Sequence, residues 1–209
     1  MKGVFITFEG IDGSGKTLMH RLIAADLRAA GYEVQTTREP GGSELGRSIR
    51  RLLLDSAVGD VDARTETLLY AADRALHVEK VIKPALAAGK IVLSDRYIDS
   101  SFAYQGGGRM LDLEQIRQIN HFAIDRVMPD HTIYLELPPE AALLRRKGNQ
   151  DRLEQEDIAF FSRIAAAYRL LAAAESERFI VIDATPGIDA VHRAIRDALL
   201  PRLSEMNKP

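Results

Sequence analysis

The sequence contains no cysteine among its 209 residues. This absence excludes disulfides, thiolate metal sites and a cysteine nucleophile. An excess of charge of one sign is also lacking: 28 Lys and Arg against 30 Asp and Glu leave a formal net charge of −2. Nothing therefore draws the whole chain to nucleic acid or to an acidic membrane, and any anion site must be local.

Long hydrophobic runs are missing as well. No apolar stretch approaches the ~20 residues of a membrane span. The N-terminus has one lysine and then enters a predicted strand, which is not the pattern of a signal peptide. We expect a cytoplasmic enzyme with neither a nucleic-acid nor a membrane partner.

Short apolar runs rich in β-formers alternate with longer helical patterns along the chain. This alternation predicts an α/β fold, a doubly wound parallel five-stranded sheet flanked by helices, with its site at the carboxyl ends of the strands. No linker, repeat or low-complexity tract divides the chain, so we expect a single domain over 1–209. The predicted strands are Val4–Glu9, Glu33–Thr37, Ile91–Asp95, Thr132–Leu137 and Phe179–Asp183. The predicted helices are Thr17–Ala30, Leu45–Leu54, Arg64–Ala88 with a kink or break at Pro84, Asp112–Ala123, Pro139–Arg146, Glu156–Ala174 and Gly187–Leu200.

A glycine-rich segment at 10–17 fits the phosphate-loop pattern G-x-x-x-x-G-K-[ST]. It follows the first predicted strand and opens a helix, so its backbone N–H groups would point at a bound anion. We expect Lys16 to reach the β- and γ-phosphates of a nucleoside triphosphate and Thr17 to hold Mg²⁺. The alternative is a glycine-rich turn that binds nothing. The residues predicted to surround the triphosphate are Gly10, Asp12, Gly13, Ser14, Gly15, Lys16, Thr17 and Leu18.

Two other strand ends carry charged residues. Asp95 closes the third predicted strand, where a phosphate-loop fold keeps a second carboxylate that organises Mg²⁺. Arg96 follows it, and Arg38 lies at the end of the second strand. Because a guanidinium binds phosphate through two parallel hydrogen bonds, these arginines could grip a second phosphate. The alternative is an exposed Asp–Arg pair in an ordinary turn.

Tyr70 and Arg74 are four residues apart on a predicted helix and so share one face. An aromatic ring beside a guanidinium suits a nucleobase. The ring can stack on the base while the arginine donates a hydrogen bond to a carbonyl oxygen of the base. The alternative is a core tyrosine with a solvated arginine.

Six spaced strings complete the pattern: FEGIDGSGKT at 8–17, TREPGG at 37–42, LLYAADR at 68–74, SDRY at 94–97, SSFAYQG at 100–106 and DRLE at 151–154. With them the chain resembles the thymidylate kinase family over nearly its whole length. The resemblance implies ATP-dependent phosphorylation of dTMP to dTDP with Mg²⁺, by a homodimer. The acceptor phosphate is largely dianionic at pH 7 and needs no general base.

The resemblance also implies a role for each matching residue. Arg38 and Arg96 would hold the acceptor phosphate, and Tyr70 would stack on thymine. Arg74 would donate to thymine O4, and Asp12 would lie near the 3′-hydroxyl or the acceptor phosphate. The remaining dTMP contacts that it implies are Ser101 and Gln105 beside the base, and Tyr104 as an aromatic wall that disfavours a ribose 2′-hydroxyl.

A cationic connection at 144–153 matches the family's mobile lid. As a bare charge run it would be a solvated loop. The phosphate loop has no basic residue at Gly13 or Ser14, so the resemblance implies that the lid supplies the catalytic arginine. With Lys16 and Arg96, the candidate catalytic residues are therefore Arg145, Arg146 and Arg152.

Other functions compete with this interpretation. A phosphate-loop kinase for another deoxynucleotide or for a nucleoside would differ in the pocket formed by Tyr70, Arg74, Ser101 and Gln105. A regulatory GTPase would carry an N-K-x-D string, and none occurs. A non-catalytic nucleotide-binding scaffold would not need the full set of phosphate-handling residues.

Overall fold

A computed structural model describes residues 3–145 and 151–206. Five parallel strands form one sheet in the order β2-β3-β1-β4-β5. The α/β prediction is confirmed, and each predicted strand is found to within one residue. The strands are β1 (Val4–Glu9), β2 (Val34–Arg38), β3 (Ile91–Asp95), β4 (His131–Glu136) and β5 (Phe179–Asp183).

Helices cover both faces of the sheet. The nine α-helices within the described residues are α1 (Lys16–Ala29), α2 (Glu44–Leu54), α3 (Ala63–His77), α4 (Lys83–Ala87), α5 (Ile98–Ser101), α6 (Leu113–Ile124), α7 (Pro139–Arg145), α8 (Ile158–Ala174) and α9 (Ile188–Met206). None of the helices in this part of the chain is long and apolar enough to cross a membrane.

β1 lies at the centre of the sheet, and all six of its residues are buried. Its register pairs Phe8 with Asp95 of β3, and Arg38 of β2 pairs with the same Asp95. Because parallel strands end at one edge, the phosphate loop after β1 lies beside the charged ends of β2 and β3. The strand order thus assembles three separate sequence motifs into one site.

The long predicted helix at 64–88 is interrupted, but ahead of Pro84, where the kink or break was predicted. A π-helical segment, Val78–Ile82, separates α3 from α4. Pro84 lies in the first turn of α4, directly after this segment.

The segment 98–108 was not predicted to be helical. It forms α5 followed by a second π-helical segment, Phe102–Gly108. Its glycines have low helix propensity and are typical of a loop. In the structure they allow close packing against α8, since a Cβ on Gly108 would lie 2.6 Å from the Phe160 ring. This packing fixes the turn that carries Tyr104 and Gln105.

Candidate active site

The phosphate loop joins β1 to α1. Gly13 has φ of 91°, and a Cβ there would lie 2.7 Å from the carbonyl oxygen of Ala142, so only glycine fits. The buried Lys16 donates from Nζ to the carbonyl oxygen of Ile11 at 2.9 Å. Burial, with Arg96 nearby, lowers the pKa of Lys16 to about 8. The Ser14 hydroxyl is buried with no partner among the described residues, as expected of a group facing an anion.

Thr17 and Asp95 meet at the mouth of this loop. The Thr17 hydroxyl donates to Asp95 Oδ2 at 2.6 Å. Two neighbouring oxygen ligands suit Mg²⁺, which binds proteins through one or two carboxylates plus substrate phosphates. In residues 3–145 and 151–206 no group of three or more acidic or histidine side chains could hold a metal by itself. The donor set therefore fits a metal whose remaining ligands come from a nucleotide.

Arg96 is the centre of the site. It follows β3 with φ of 74°, and its Nη1 donates to the Gly10 carbonyl and to Ser100 Oγ, both at 3.1 Å. Its Nη2 donates to the Asp12 carboxylate and to the Tyr104 hydroxyl. Burial alone would raise the pKa of Asp12, but Arg96 and then Lys16 hold that pKa well below its ordinary value.

A second carboxyl group, Glu9, lies behind Arg96. Glu9 Oε2 accepts from Ser100 Oγ at 2.6 Å and from the Tyr168 hydroxyl at 2.7 Å, and Oε1 accepts from the backbone N–H of Tyr97 at 2.8 Å. Burial, and then the charge of Asp99, raises the pKa of Glu9 to about 7. Glu9 was not predicted as a site residue, although an acidic residue at the end of a buried strand beside a phosphate loop was a usable signal.

An open cavity of about 480 Å³ adjoins the Asp12–Arg96 pair. It brings together six residues predicted to contact dTMP: Asp12, Tyr70, Arg96, Ser101, Tyr104 and Gln105. The other residues that line it are Glu39, Pro40, Arg50, Leu54, Ser100, Asp151 and Leu153.

Arg74, the predicted donor to the base, lies behind this cavity and is not among the residues that line it. It is 1% exposed and donates from Nε to Glu39 at 2.8 Å and from Nη1 to Ser101 Oγ at 2.8 Å. Further hydrogen bonds run to Asn120 and to the Tyr97 carbonyl. A direct contact between Arg74 and the base stays a prediction.

A second cavity follows the phosphate loop. Asp12, Arg50 and Arg96 line both cavities, so the two are continuous at these side chains. The cations that line the second one are Lys16, Arg21, Arg38, Arg50 and Arg96. Arg21 and Arg50 were missed in the sequence because both lie in ordinary helical patterns. Burial, and then the charge of Arg38, lowers the pKa of Arg50.

The predicted lid arginines contact the protein itself. Arg145 donates to the carbonyl oxygens of Ala184 and Thr185 at 2.8 and 3.0 Å. Arg152 donates to the Leu53 carbonyl at 3.0 Å and to Glu66 at 2.5 Å. Neither arginine lines the second cavity, the one that follows the phosphate loop. Arg146 lies outside the described residues. Their catalytic roles stay predictions.

Comparisons with known proteins identify the family of this chain. The family model described as thymidylate kinase matches residues 8–195. A thymidylate kinase of Lactobacillus acidophilus is 46% identical, over 97% of this chain and 96% of the relative. One of Synechococcus sp. is 49% identical, over 96% of each chain. The crystal structure of thymidylate kinase from Ehrlichia chaffeensis superposes with a TM-score of 0.80 at 37% identity, covering 95% of this chain and 99% of that one. The chain belongs to the thymidylate kinase family.

Proposed function

We propose that this protein transfers the γ-phosphoryl group of ATP to dTMP, giving ADP and dTDP. The observation that carries the proposal is the Asp12–Arg96 pair, which lines both the cavity along the phosphate loop and the cavity that Tyr70 lines. A donor in the first cavity and an acceptor in the second would meet at this pair. Family membership assigns the two substrates.

The reaction depends on bringing two anionic groups together. The acceptor phosphate monoester is largely dianionic at pH 7 and is itself the nucleophile, so no side chain has to remove a proton. Catalysis then consists of alignment and charge neutralisation. Lys16 serves the donor phosphates, and Arg96, held by Asp12 and the Gly10 carbonyl, serves the acceptor phosphate. Mg²⁺, held through Thr17 and Asp95, would neutralise charge on the donor phosphates.

The acceptor cavity suits a deoxynucleotide. Tyr70 offers a ring for the base to stack on. The Tyr104 hydroxyl donates to Asp12 at 2.7 Å and accepts from Arg96, so its ring is held in a fixed place in the wall of this cavity. A fixed aromatic wall there leaves little room for a ribose 2′-hydroxyl. Arg38, exposed at the end of β2, extends the cationic surface for the acceptor phosphate.

Closure of a lid over 144–153 would bring Arg145, Arg146 or Arg152 to the transferring phosphoryl group. The hydrogen bonds of Arg145 and Arg152 would then have to be exchanged for phosphate contacts. Closure would also exclude water, which would otherwise hydrolyse ATP.

The exposed Phe122 and Leu113 on α6, 90% and 55% exposed, support a homodimer formed through this helix. We also propose that the protein resides in the cytoplasm.

The test is ATP-dependent ADP release with dTMP, dUMP, dCMP, dAMP, UMP and thymidine as acceptors. Turnover with dTMP, weaker turnover with dUMP and none with UMP are expected. Lys16→Met, which keeps a side chain of similar length without the charge, should abolish turnover while leaving the fold intact by circular dichroism. A different preferred acceptor, or ADP release with none, would contradict the proposal.

A further inference from the structure

Glu66 of α3 is a buried carboxylate next to the acceptor cavity, and the proposed reaction does not use it. It is 0% exposed. Its Oε2 accepts from Arg109 Nη2 at 3.2 Å and from Arg152 Nη2 at 2.5 Å. Its Oε1 accepts from Gln105 Nε2 at 3.0 Å and, more weakly, from Arg109 Nε at 3.4 Å. All its partners are N–H donors, so Glu66 acts only as an acceptor.

This contact fixes which way the Gln105 amide points. An amide has one donor end and one acceptor end. Because Glu66 cannot donate, Gln105 must turn its NH₂ group towards Glu66. Gln105 also lines the acceptor cavity, and within the described part of the chain no side chain or backbone group donates to its Oε1. The oxygen end is therefore the one available to a ligand.

The neighbouring Ser101 is left as a hydrogen-bond donor rather than as an acceptor. Its Oγ accepts from Arg74 Nη1 at 2.8 Å, and a guanidinium only donates. The hydroxyl hydrogen of Ser101 is thereby left to donate elsewhere, and Ser101 lines the same cavity. Glu66 and Arg74, both buried, thus leave two residues of the cavity lining with opposite polarity: Gln105 Oε1 is free to accept and the Ser101 hydroxyl is free to donate.

We propose that Glu66 is a specificity-determining positioning residue, which holds Gln105 as a hydrogen-bond acceptor and so selects a base that carries an N3–H donor. Thymine and uracil have that hydrogen beside an acceptor oxygen at C4. Cytosine has the reverse, an acceptor at N3 beside an amino donor at C4. A site whose polar groups are fixed rejects the reversed pattern because its own buried groups would be left unpaired. This inference rests on the proposed acceptor being dTMP.

The substitution Glu66→Gln tests the polarity directly. Arg109 and Arg152 both donate to Oε2, so the oxygen of the new amide should take that position and its NH₂ should take the position of Oε1. Gln105 then has to turn its oxygen towards residue 66 and its NH₂ into the cavity. The ratio of kcat/KM for dTMP over dCMP should fall by about tenfold or more, with an absolute gain for dCMP.

A double substitution, Glu66→Gln with Gln105→Glu, reverses the exchange. The amide at position 66 now donates to a carboxylate at position 105, whose second oxygen faces the cavity as an acceptor. The charge of the cluster is conserved. We expect the preference for dTMP to return, which a merely structural loss at position 66 would not allow.

Glu156→Gln is the matched control. It removes the other ion pair of Arg109, at 2.5 Å, without touching Gln105. Its dTMP-to-dCMP ratio should equal that of the wild type. Thermal unfolding of every variant identifies those that are folded at the assay temperature.

The outcomes separate the two proposals. No turnover of dTMP by the wild type would refute the proposed function. Turnover of dTMP by the wild type, with an unchanged dTMP-to-dCMP ratio in folded Glu66→Gln, would refute the role of Glu66. If Glu66→Gln does not fold, the double variant decides, and a loss of its dTMP preference would overturn the inference.

Discussion

Glu9 makes the stability of this protein depend on pH in an unusual direction for a carboxylate. Folding raises its pKa from 4.5 to about 7, through burial and then the charge of Asp99. The native protein therefore keeps a proton that the unfolded chain has already lost between these two pH values. Its free energy of unfolding must fall as the pH rises through this interval.

The size of this effect follows from the pKa change. Each unit of pKa corresponds to ~1.4 kcal/mol, so titration of Glu9 lowers the free energy of unfolding by up to about 3 kcal/mol between pH 4.5 and pH 7.5. Glu9→Gln removes the titrating group but keeps the shape. Its amide also meets the donors Ser100 and Tyr168, which adds a pH-independent offset to the difference in unfolding free energy between the variant and the wild type. The informative quantity is the change of that difference with pH.

The assay is urea unfolding of both proteins at half-unit steps from pH 4.5 to pH 7.5. We expect the free energy of unfolding of the variant, relative to that of the wild type, to rise by up to about 3 kcal/mol from pH 4.5 to pH 7.5. Asp73, whose pKa burial and then Glu39 raise to about 6, is present in both proteins and cancels in the difference. The exposed Glu177→Gln is the control and should give a curve parallel to the wild type. A parallel curve for Glu9→Gln would show that the buried environment does not retain the proton.

Three further predictions concern the substrates. Arg96→Lys keeps the charge but loses the planar fork, so kcat/KM for dTMP should fall about a hundredfold in steady-state assays; an unchanged value would exclude Arg96 as the phosphate ligand. Thr17→Val removes the hydroxyl bonded to Asp95, and the Mg²⁺ concentration for half-maximal rate should rise about tenfold; a wild-type magnesium titration would contradict the assigned metal site. Tyr70→Leu keeps an apolar side chain but removes the stacking ring, and the Kd for dTMP from calorimetry should rise about tenfold; equal affinity would place the base elsewhere.

Strand positions were readable from the sequence because buried parallel strands are continuous apolar runs. β1, β3 and β5 begin and end where the pattern predicted. The segment 98–108 was missed because its glycines have low helix propensity. Their helical conformation depends on contacts with α8, more than fifty residues later in the chain, and local propensity carries no information about such contacts.

Site residues divide along the same line. The phosphate loop, Asp95 and Arg96 were predicted as site residues because each lies at the end of an apolar strand or directly after it. Glu66 was not, since an acidic residue inside a helix acquires meaning only from the donors that distant segments place around it. Glu9 was also missed, although its position at the end of β1 was a signal in the sequence. Arg74 was identified, but its burial among Glu39, Ser101, Asn120 and Tyr97 was not foreseeable from its helical spacing alone.

The sequence by itself determined the alternation of strands and helices, the glycine-rich turn after β1 and the family, because each of these is carried by short stretches of neighbouring residues. Only the tertiary structure decided the order of the strands, the junction of the two cavities at Asp12 and Arg96, and the direction in which the Gln105 amide points. Those features depend on which side chains from distant segments share a buried space. In such a space each donor and acceptor must find its partner.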